Sequence, residues 1–513
     1  MNPPTTDTLC IYGATGAGIA AAVQAARMGR HVILIEPTAD IGGIMTQGLG
    51  SSDVNNHASF RNEAALGGIA RQFYAAVGQA YGREGPVYGY EPHVGEAIFR
   101  RWLDHPAITL VAGTGLREPI PQAAEKQGTR LQALHLADGR RIAASCFIDA
   151  SIEGDLLAAA GVRTVVGREA NALHGETLNG IRGENTYRQF EVRVDPWNRP
   201  GDPSSGVLPT IQDEPLGEPG AGDHRIQAYC FRLCLTDDPA NRIPFARPDG
   251  YDPAQYEIYR RYAAAGGRLW TPQARLPGRK TDLGSWHDLS ANLYGMNHAY
   301  PEGSTGTRQR ILAEHLAFTQ GLCWFLAHDP ALPSELRAEW SRWGTCRDEF
   351  TTSGGWPRQF YVRDARRMVS PHVITEHHLR VGSGVEDGDP VAVAYWPPDV
   401  HHVRRIVRDG AAYNEGFVFG GSIAWRPFGI SYRALVPHPQ ECTNLLTPTC
   451  PSSTHVAYGA IRLEWTFMAL GQACATAAVL ALEHKTSVQE VDYGGLQTAL
   501  LQAKGQLNVP AST

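Results

Sequence analysis

The first part of the chain alternates short apolar runs with a glycine-rich turn. Residues 8–12, Thr-Leu-Cys-Ile-Tyr, form an apolar run of strand length, and a second such run covers residues 31–35. Residues 19–28 are apolar and rich in alanine, which predicts a helix that ends at Gly29. Glycines fill the turn between the first strand and this helix, and Glu36 stands at the end of the second strand. The pattern predicts a βαβ unit.

The turn and the acid of this unit are typical of a dinucleotide site. Glycines let the backbone approach a pyrophosphate closely, and a helix N-terminus offers N–H groups and a positive dipole end. Glu36 lies eighteen residues beyond Gly18 and can accept hydrogen bonds from a ribose. Thr15 occupies the position of the middle glycine in a G-x-G-x-x-G pattern. The alternative is an ordinary strand–helix turn without a ligand.

The remaining elements follow from the same periodicities. Further strands are predicted at residues 108–111, 131–137, 140–144, 146–150, 227–235 and 442–446. Helices are predicted at residues 67–77, 91–103, 156–160, 307–328, 334–343 and 461–482. Residues 382–400 are interrupted by glycine and proline and predict a loop. The βαβ rhythm is missing between residues 161 and 430 and returns afterwards, so we expect a nucleotide domain with a large insertion.

Composition and charge narrow the class of protein. The 513 residues are 43% hydrophobic and 19% charged, and the net charge of −6 without basic runs speaks against nucleic acid as a partner. The nine cysteines are scattered, which favours reduced thiols in the cytoplasm. Residues 466–482 carry no charge, but alanine dominates, so a buried helix is favoured over a membrane span. The first strand starts too early for a cleaved signal peptide, so none is expected.

Five segments carry a resemblance to a known family. The chain resembles the FAD-dependent oxidoreductases of the glutathione-reductase/fumarate-reductase superfamily, and more closely a bacterial subgroup of FAD-dependent oxidoreductases in which a threonine at the place of Thr15 is usual. The resemblance covers nearly the whole chain and is specific for FAD rather than for a substrate. The segments are Tyr12-Gly-Ala-Thr-Gly-Ala-Gly18, Gly42-Gly-Ile-Met-Thr-Gln-Gly48, Phe147-Ile-Asp-Ala-Ser-Ile-Glu-Gly-Asp155, Tyr300-Pro-Glu302 with Thr319-Gln-Gly321, and residues 444–472.

The resemblance implies an α/β fold: a three-layer FAD-binding domain of the Rossmann type with an inserted, mixed α+β substrate domain. The FAD-binding domain would be discontinuous and comprise residues 1–160 and 431–485. The inserted substrate domain would comprise residues 161–430, and residues 486–513 would form a C-terminal tail.

The resemblance also implies which residues hold FAD. The glycine turn would bind the pyrophosphate, and Glu36 would bind the adenosine ribose. The second glycine segment would contact the ribityl and flavin region. The helix near the C-terminus would close over the flavin, where its positive end stabilises reduced flavin. The residues implied are Gly13, Ala14, Thr15, Gly16, Ala17, Gly18, Glu36, Pro37, Gly42, Gly43, Met45, Thr46, Leu116, Ala150, Gly154, Asp155, Ser453, His455, Gly459, Arg462 and Gln472.

Three histidines are candidates for the catalytic base, because histidine titrates near neutral pH. His455 lies in the segment that would close over the flavin and ranks first, with helix capping or a hydrogen bond to the flavin as the alternative. His401 belongs to an Asp-Val-His-His segment where relatives often have Asp-Ser-His, so no substrate is carried over. His57 is a third candidate, with covalent flavin attachment as its alternative. His401 and His402 lack a third ligand, so no metal ion is expected.

Basic and aromatic residues in the middle of the chain are candidates for substrate binding. Arg363 and Arg367 are four residues apart and would share a helix face, suited to a carboxylate. The favoured alternative is structural pairing with Asp364 or Glu349. Lys280 and Trp286 combine polar and aromatic character, which suits a sugar-like ligand and equally an ordinary surface.

We therefore expect a cytoplasmic FAD-dependent oxidoreductase that oxidises a small polar substrate, preferably a carbohydrate or another hydroxylated molecule, by hydride transfer to flavin N5. The electron acceptor would be oxygen or another molecule, because no second G-x-G-x-x-G pattern indicates an NAD(P)H domain. Two alternatives stay open: a flavin-binding electron-transfer subunit of a complex, and a nucleotide-binding module without turnover. No membrane partner is expected, and the sequence is compatible with a homo-oligomer.

Overall fold

The computed structural model describes residues 8–55, 61–185, 187–285 and 288–509. Its α-helices are α1 Gly16–Arg27, α2 Gly68–Ala80, α3 Pro92–Leu103, α4 Asp155–Ala159, α5 Asn171–His174, α6 Glu257–Ala264, α7 Thr305–His328, α8 Ser334–Ser341, α9 Glu376–Leu379, α10 His455–Ile461, α11 Glu464–His484 and α12 Tyr493–Gln502.

The strands are short in the middle of the chain and longer near the N-terminus. They are β1 Thr8–Tyr12, β2 His31–Glu36, β3 Ile108–Ala112, β4 Ala124–Gln127, β5 Arg130–His135, β6 Arg141–Ala143, β7 Cys146–Asp149, β8 Thr164–Val165, β9 Trp197–Arg199, β10 Asp202–Val207, β11 Leu235–Thr236, β12 Arg242–Pro244, β13 Gly344–Cys346, β14 Arg367–Met368, β15 Pro390–Ala394, β16 Arg404–Arg408, β17 Ala411–Glu415, β18 Phe428–Ser431 and β19 Leu445–Leu446.

A parallel sheet of five strands forms the centre of the nucleotide-binding half, in the order β19-β7-β1-β2-β3. Its register joins distant parts of the chain: Leu9 pairs with Cys146 and with Val32, and Leu445 pairs with Phe147. The predicted strand at residues 146–150 therefore does adjoin the first strand, and residues from near the C-terminus complete the sheet.

Alternation along the strands builds three layers, because successive side chains point to opposite faces. Leu9 and Ile11 pack with α1, α2, α3 and α11 on one face, whereas Cys10 and Tyr12 pack with α4 and the antiparallel sheet β4-β5-β6 on the other. The structure is thus a mixed α/β fold around a parallel sheet, consistent with the Rossmann type. A further core, formed by residues between 194 and 412, includes α6, α7 and α8. The domain boundaries given above stay predictions.

Several predicted elements differ from the structure. The helix predicted at 461–482 corresponds to α11, which begins only at Glu464, and Ile461 instead ends the separate helix α10. Residues 227–234 do not form the predicted strand, because they pair with other segments only through isolated bridges, such as Cys230 with Tyr361. The short strand β11 contains only Leu235 and Thr236. The loop predicted at 382–400 contains β15, which pairs with β18.

Helix α11 is the one described helix that is long and apolar enough, by length and composition, to cross a membrane. Of its most apolar window, 83% is buried inside the protein, where it packs against α1 and the sheet. The sequence-based expectation of a buried helix is confirmed.

Candidate functional site

A cavity of 640 Å³ opens at the carboxyl ends of the parallel strands. Tyr12 and Glu36 bring the ends of β1 and β2 to its wall, and Ser151 follows the end of β7. In open parallel sheets, ligands bind at this edge. The other wall comes from the middle of the chain, namely from α7 and from residues 358–362.

The glycine turn is shaped by contacts that leave no room for side chains. Gly13 has a φ of +99°, and a Cβ on it would lie 2.6 Å from the Ser151 nitrogen. A Cβ on Gly18 would lie 1.9 Å from the Gly13 carbonyl oxygen. The turn therefore packs backbone against backbone at the end of β7, and the first turn of α1 meets the cavity there.

Thr15 has a definite role in this turn. Its hydroxyl donates to the Ala150 carbonyl oxygen at 2.9 Å and accepts from the Gly18 N–H at 3.2 Å. The side chain thus caps α1 and fastens the turn to the end of β7 at the same time. A glycine at this position would provide neither contact, which is the physical reason for the departure from G-x-G-x-x-G.

Glu36 is buried and fully hydrogen-bonded at the cavity wall. One carboxylate oxygen accepts from the Ala14 N–H at 2.9 Å, and the other accepts from the Thr38 N–H at 2.9 Å and the Thr38 hydroxyl at 2.8 Å. Burial raises the pKa of Glu36 to about 7, against the lowering effect of these donors. The carboxyl group therefore stands in place before any ligand arrives.

An arginine of the middle region closes the cavity opposite the sheet. Arg308 on α7 holds the Asp155 carboxylate with both of its terminal nitrogens, at 2.6 and 2.7 Å, and Arg366 reaches the same group at 2.9 Å. Arg308 and Asp155 both line the cavity. Because a guanidinium matches a carboxylate in two parallel hydrogen bonds, this contact fixes α7 against the N-terminus of α4.

At another part of the wall, an acidic residue stands among aromatic side chains. Glu464 begins α11 and lines the cavity together with Gly43, Ile44 and Tyr361. Burial raises the pKa of Glu464 to about 8, and the nearby Arg462 opposes this rise. Arg462 donates to the Tyr361 hydroxyl at 2.9 Å and to the Asp399 carbonyl oxygen at 2.8 Å. Sequence reasoning missed Glu464; the available signal was a single acid immediately before the uncharged run.

The residues predicted to bind the cofactor fall into three groups. Those that line the cavity are Gly13, Thr15, Glu36, Pro37, Gly43, Leu116 and Asp155. Those beside it in the same turns, helix starts or strand ends are Ala14, Gly16, Ala17, Gly18, Gly42, Met45, Thr46, Ala150 and Gly154. Those of the C-terminal segment that do not line it are Ser453, His455, Gly459, Arg462 and Gln472.

The last group has packing roles in the structure. The Gln472 side chain accepts from the Ile69 N–H at 2.9 Å and donates to the Ala503 carbonyl oxygen at 3.3 Å, so it ties α11 to α2 and the chain after α12. Gly459 packs against Asp399, and the Ser453 carbonyl oxygen accepts from Arg367. The Gln472 side chain is occupied by these contacts and does not line the cavity, and a role of Gln472 at the flavin stays a prediction.

Two of the candidate histidines, His401 and His455, lie outside the cavity wall. His455 is buried at the start of α10, with its Nδ1 2.8 Å from Asp364 Oδ2. His401 lies 3.0 Å from the Ser285 hydroxyl and 3.5 Å from Asp399 Oδ1. Burial, reinforced by the Arg363 charge, lowers the pKa of His401 well below its usual range, so the ring is held neutral. His57 lies outside the described residues.

The predicted substrate residues are held by the protein itself. Residues 361–366 are not helical, so Arg363 and Arg367 do not share a helix face. Arg363 donates to the Ser285 hydroxyl at 2.9 Å, and Arg367 pairs with Glu169 at 2.6 Å rather than with Asp364 or Glu349. Both arginines are buried and neither lines the cavity.

Lys280 also has a structural environment. Its ammonium group is buried between Glu91, Asp348 and Glu349, at 2.7, 2.8 and 2.8 Å. The three carboxylates accept from all three N–H donors of the ammonium group. The prediction that Lys280 contacts a sugar-like ligand is therefore corrected. Trp286 lies outside the described residues.

The residues on the wall fit FAD by their chemistry. The glycine turn and the start of α1 form a cradle that side chains would fill, which suits a pyrophosphate. Glu36 offers acceptors for a ribose, and Gly115 with Leu116 provides a flat backbone surface for the adenine region. The Gly43, Ile44 and Glu464 part of the wall is then left for the flavin. No further residues need be assumed.

Comparisons with known proteins agree with this chemistry. The chain belongs to the FAD dependent oxidoreductase family, whose model matches residues 8–500, and FAD is the cofactor of this family. No curated protein sequence matches the chain. The chain is an FAD-dependent oxidoreductase by class, and its substrate has to be inferred separately.

Solved structures show only partial similarity. Thermovibrio ammonificans THI4 is 17% identical over 34% of this chain and 71% of its own, with a TM-score of 0.22. OTEMO in complex with FAD and NADP is 18% identical over 29% and 26%, with a TM-score of 0.20. A flavin monooxygenase from Stenotrophomonas maltophilia is 16% identical over 28% and 38%, with a TM-score of 0.19. Because these scores are low, they carry no argument about the fold or the reaction.

Proposed function

We propose that the protein oxidises a small polar, hydroxylated substrate by hydride transfer to FAD, with Glu464 as the group that accepts the substrate proton. The observation that carries this proposal is the place of Glu464, a buried carboxyl group on the cavity wall beside Gly43 and Ile44. FAD supplies the hydride acceptor, at flavin N5.

The surroundings of Glu464 suit a general base near neutral pH. Tyr74, Tyr90 and Trp465 surround the carboxyl group, and a small hollow of 10 Å³ lies between these rings. Burial there raises its pKa to about 8, which is within the range at which general bases work best. His455 and His401 do not line the cavity, so they are ranked behind Glu464 for this role.

Polar groups near Glu464 support a hydroxylated substrate. Tyr361 lines the cavity, and its hydroxyl is oriented by Arg462, which in turn is held by Asp399. This arrangement offers a donor and an acceptor in fixed positions. A carbohydrate is one such molecule. For reoxidation we propose oxygen or another small acceptor.

An anaerobic flavin-bleaching screen across sugars, amino acids and hydroxy acids identifies the substrate. With that substrate, the rate of flavin reduction in the wild type should increase as pH rises through about 8, because Glu464 must lose its proton to act as a base. Glu464→Gln should reduce the rate by about 10²–10⁴-fold and remove this pH dependence, with FAD content unchanged.

His455→Ala is the matched comparison. It should keep the pH dependence that Glu464→Gln loses. A Glu464→Gln protein that is bleached at the wild-type rate would refute the role of Glu464. If an amino acid bleaches the flavin and no hydroxylated compound does, the proposed substrate class is wrong. The role of Glu464 as the base would then be tested by Glu464→Gln with that amino acid.

A further inference from the structure

Three ligand-type side chains converge outside the flavin site. His372 follows β14, His378 lies on α9, and Asp387 lies in the connection between α9 and β15. Asp387 Oδ2 is 3.2 Å from His372 Nε2 and 3.3 Å from His378 Nε2. The three ligand atoms all lie within 4.8 Å of one another. None of the three residues lines the 640 Å³ cavity.

The separations of these atoms match those of ligands around one metal ion. Zinc takes nitrogen and oxygen ligands at about 2.0–2.1 Å in tetrahedral geometry, so neighbouring ligand atoms lie about 3.3–3.4 Å apart. A charge-assisted hydrogen bond between an imidazolium and a carboxylate is shorter, at about 2.7–2.9 Å. The observed 3.2 and 3.3 Å are longer than charge-assisted hydrogen bonds, lie at the upper end of neutral N–H···O hydrogen bonds, and agree with the ligand spacing around a shared ion.

Outer contacts hold the ligands in place. Arg433 approaches the other oxygen of Asp387 at 3.3 Å, which leaves Oδ2 for the ion. His378 Nδ1 lies 3.3 Å from the Thr375 carbonyl oxygen, and a backbone carbonyl is a usual acceptor for the second N–H of a metal-binding histidine. The same Nδ1 is 3.1 Å from the Thr375 backbone nitrogen, so both contacts orient the imidazole ring.

A second cluster, of one histidine and three carboxylates, already holds a cation of the protein itself. Glu91, His93, Asp348 and Glu349 also converge, but the Lys280 ammonium group lies among their carboxylates and supplies the cation. Beside His372, His378 and Asp387 the cation is Arg433, whose contact is with Oδ1 of Asp387 and not with the Oδ2 that faces the histidines. The two histidine side chains are 17% and 7% exposed, so an ion can reach this cluster from solvent.

We propose that His372, His378 and Asp387 bind one Zn²⁺ ion, with water at the fourth position. Two imidazoles and a carboxylate are ligands that zinc prefers, and three protein ligands leave one position open. The ion would fasten the connection before β15 to the segment of residues 370–379. That segment also pairs with the chain before α10, because the Thr454 N–H donates to the Ile374 carbonyl oxygen at 2.9 Å.

The test measures zinc in the full-length, FAD-loaded protein. The protein is stripped with a chelator, equilibrated with micromolar Zn²⁺ and freed of excess metal, and bound zinc is determined by mass spectrometry. We expect one zinc per chain in the wild type. His378→Ala and Asp387→Asn should bind zinc more than about 100-fold more weakly, because even outer contacts of a metal site contribute about 10–100-fold.

His377→Ala is the matched control, because this neighbour on α9 contacts the His174 carbonyl oxygen and not the cluster. It should keep wild-type zinc binding. FAD content reports whether each variant is folded, and the more exposed His372→Ala replaces any variant that loses FAD. The proposal would be overturned if the wild type bound no zinc, if the variants bound zinc as the wild type does, or if the wild type retained Mg²⁺ equally well. In each case the three side chains would form only a hydrogen-bonded cluster.

Discussion

At the scale of single residues, burial raises the pKa values of three carboxyl groups near the strand ends, but these groups differ in their hydrogen-bond partners. Burial raises the pKa of Glu36 and of Asp149 to about 7 and that of Glu464 to about 8. Glu36 and Asp149 accept backbone N–H groups, from Ala14 and from Leu157. In the part of the chain that the structure describes, no donor reaches the Glu464 carboxyl group, so of these three groups it is the one that protein donors do not hold.

Glu464 should make stability depend on pH. Its folded-state pKa of about 8 exceeds the ordinary value of 4.5, so its contribution is full below about pH 4.5 and is lost as pH rises through 8. Glu464→Gln removes this loss and should raise the free energy of unfolding by about 4–5 kcal/mol at pH 9, with a change of less than about 1 kcal/mol at pH 5. Urea unfolding at both pH values measures it.

The exposed Glu63→Gln serves as the control, because its side chain is 38% exposed and should show no such pH dependence. Parallel stability curves for Glu464→Gln and the wild type between pH 5 and 9 would contradict the buried state of this carboxyl group.

The sequence could predict Glu36 but not Glu464. Glu36 follows from a local pattern of strand, glycine turn, helix and second strand, whose spacing fixes where the acid stands. The environment of Glu464 is made by Tyr74, Tyr90 and Tyr361, which come from remote parts of the chain. Burial of this kind depends on tertiary packing, which local periodicity does not contain.

At the scale of elements, the break between α10 and α11 matters for the site. Leu463 adopts an extended conformation with a ψ of 139°, and Arg462 is held by Asp399, so a new helix begins at Glu464. The sequence predicted one helix from residue 461 to residue 482, because nothing in its apolar composition marks the extended backbone at Leu463. The break places the start of α11, rather than its middle, at the cavity.

The start of α1 gives a prediction about Thr15. Thr15→Ala removes the helix cap and the hydrogen bond to Ala150, so the free energy of unfolding should fall by about 1–2 kcal/mol. Thr15→Ser keeps the hydroxyl and should stay close to the wild type. Urea unfolding and FAD titration measure both effects. Equal stability of the alanine and wild-type proteins would mean that this hydroxyl does not contribute.

At the scale of the whole molecule, α7 and the nucleotide-binding sheet meet through Arg308 and Asp155. Arg308→Ala leaves the Asp155 carboxylate with Arg366 alone, and Asp155 is 8% exposed. We expect a loss of about 2–4 kcal/mol in the free energy of unfolding and weaker FAD binding, because the bidentate ion pair is lost and only one hydrogen bond, from Arg366, still reaches this buried carboxylate. Calorimetry and FAD titration check this.

Arg310→Ala is the matched control on the same helix. Arg310 pairs with Glu314 at the surface, where its side chain is 60% exposed, so less than about 0.5 kcal/mol should be lost. Similar losses for both variants would show that α7, and not the contact with Asp155, is the sensitive part.

The three-layer arrangement could be predicted from the sequence, whereas the middle of the chain could not. Apolar runs at βαβ spacing predict the strands of the central sheet. In the middle, buried arginines hold irregular backbone: Arg367 donates to the Gly167 carbonyl oxygen, and Arg404 to the Pro215 carbonyl oxygen. Such contacts join residues about 190–200 positions apart, and no pattern along the chain marks them.

The position of β19 in the central sheet has a consequence for synthesis on the ribosome. β19 pairs with β7, yet about 300 residues separate them in the chain. At elongation rates of about 5–20 residues per second, the outer edge of β7 stays unpaired for roughly 15–60 s after it emerges. An unpaired strand edge is a template for aggregation. During this interval the edge of β7 therefore needs to be covered, either by a chaperone or by a partly collapsed state of the nascent chain.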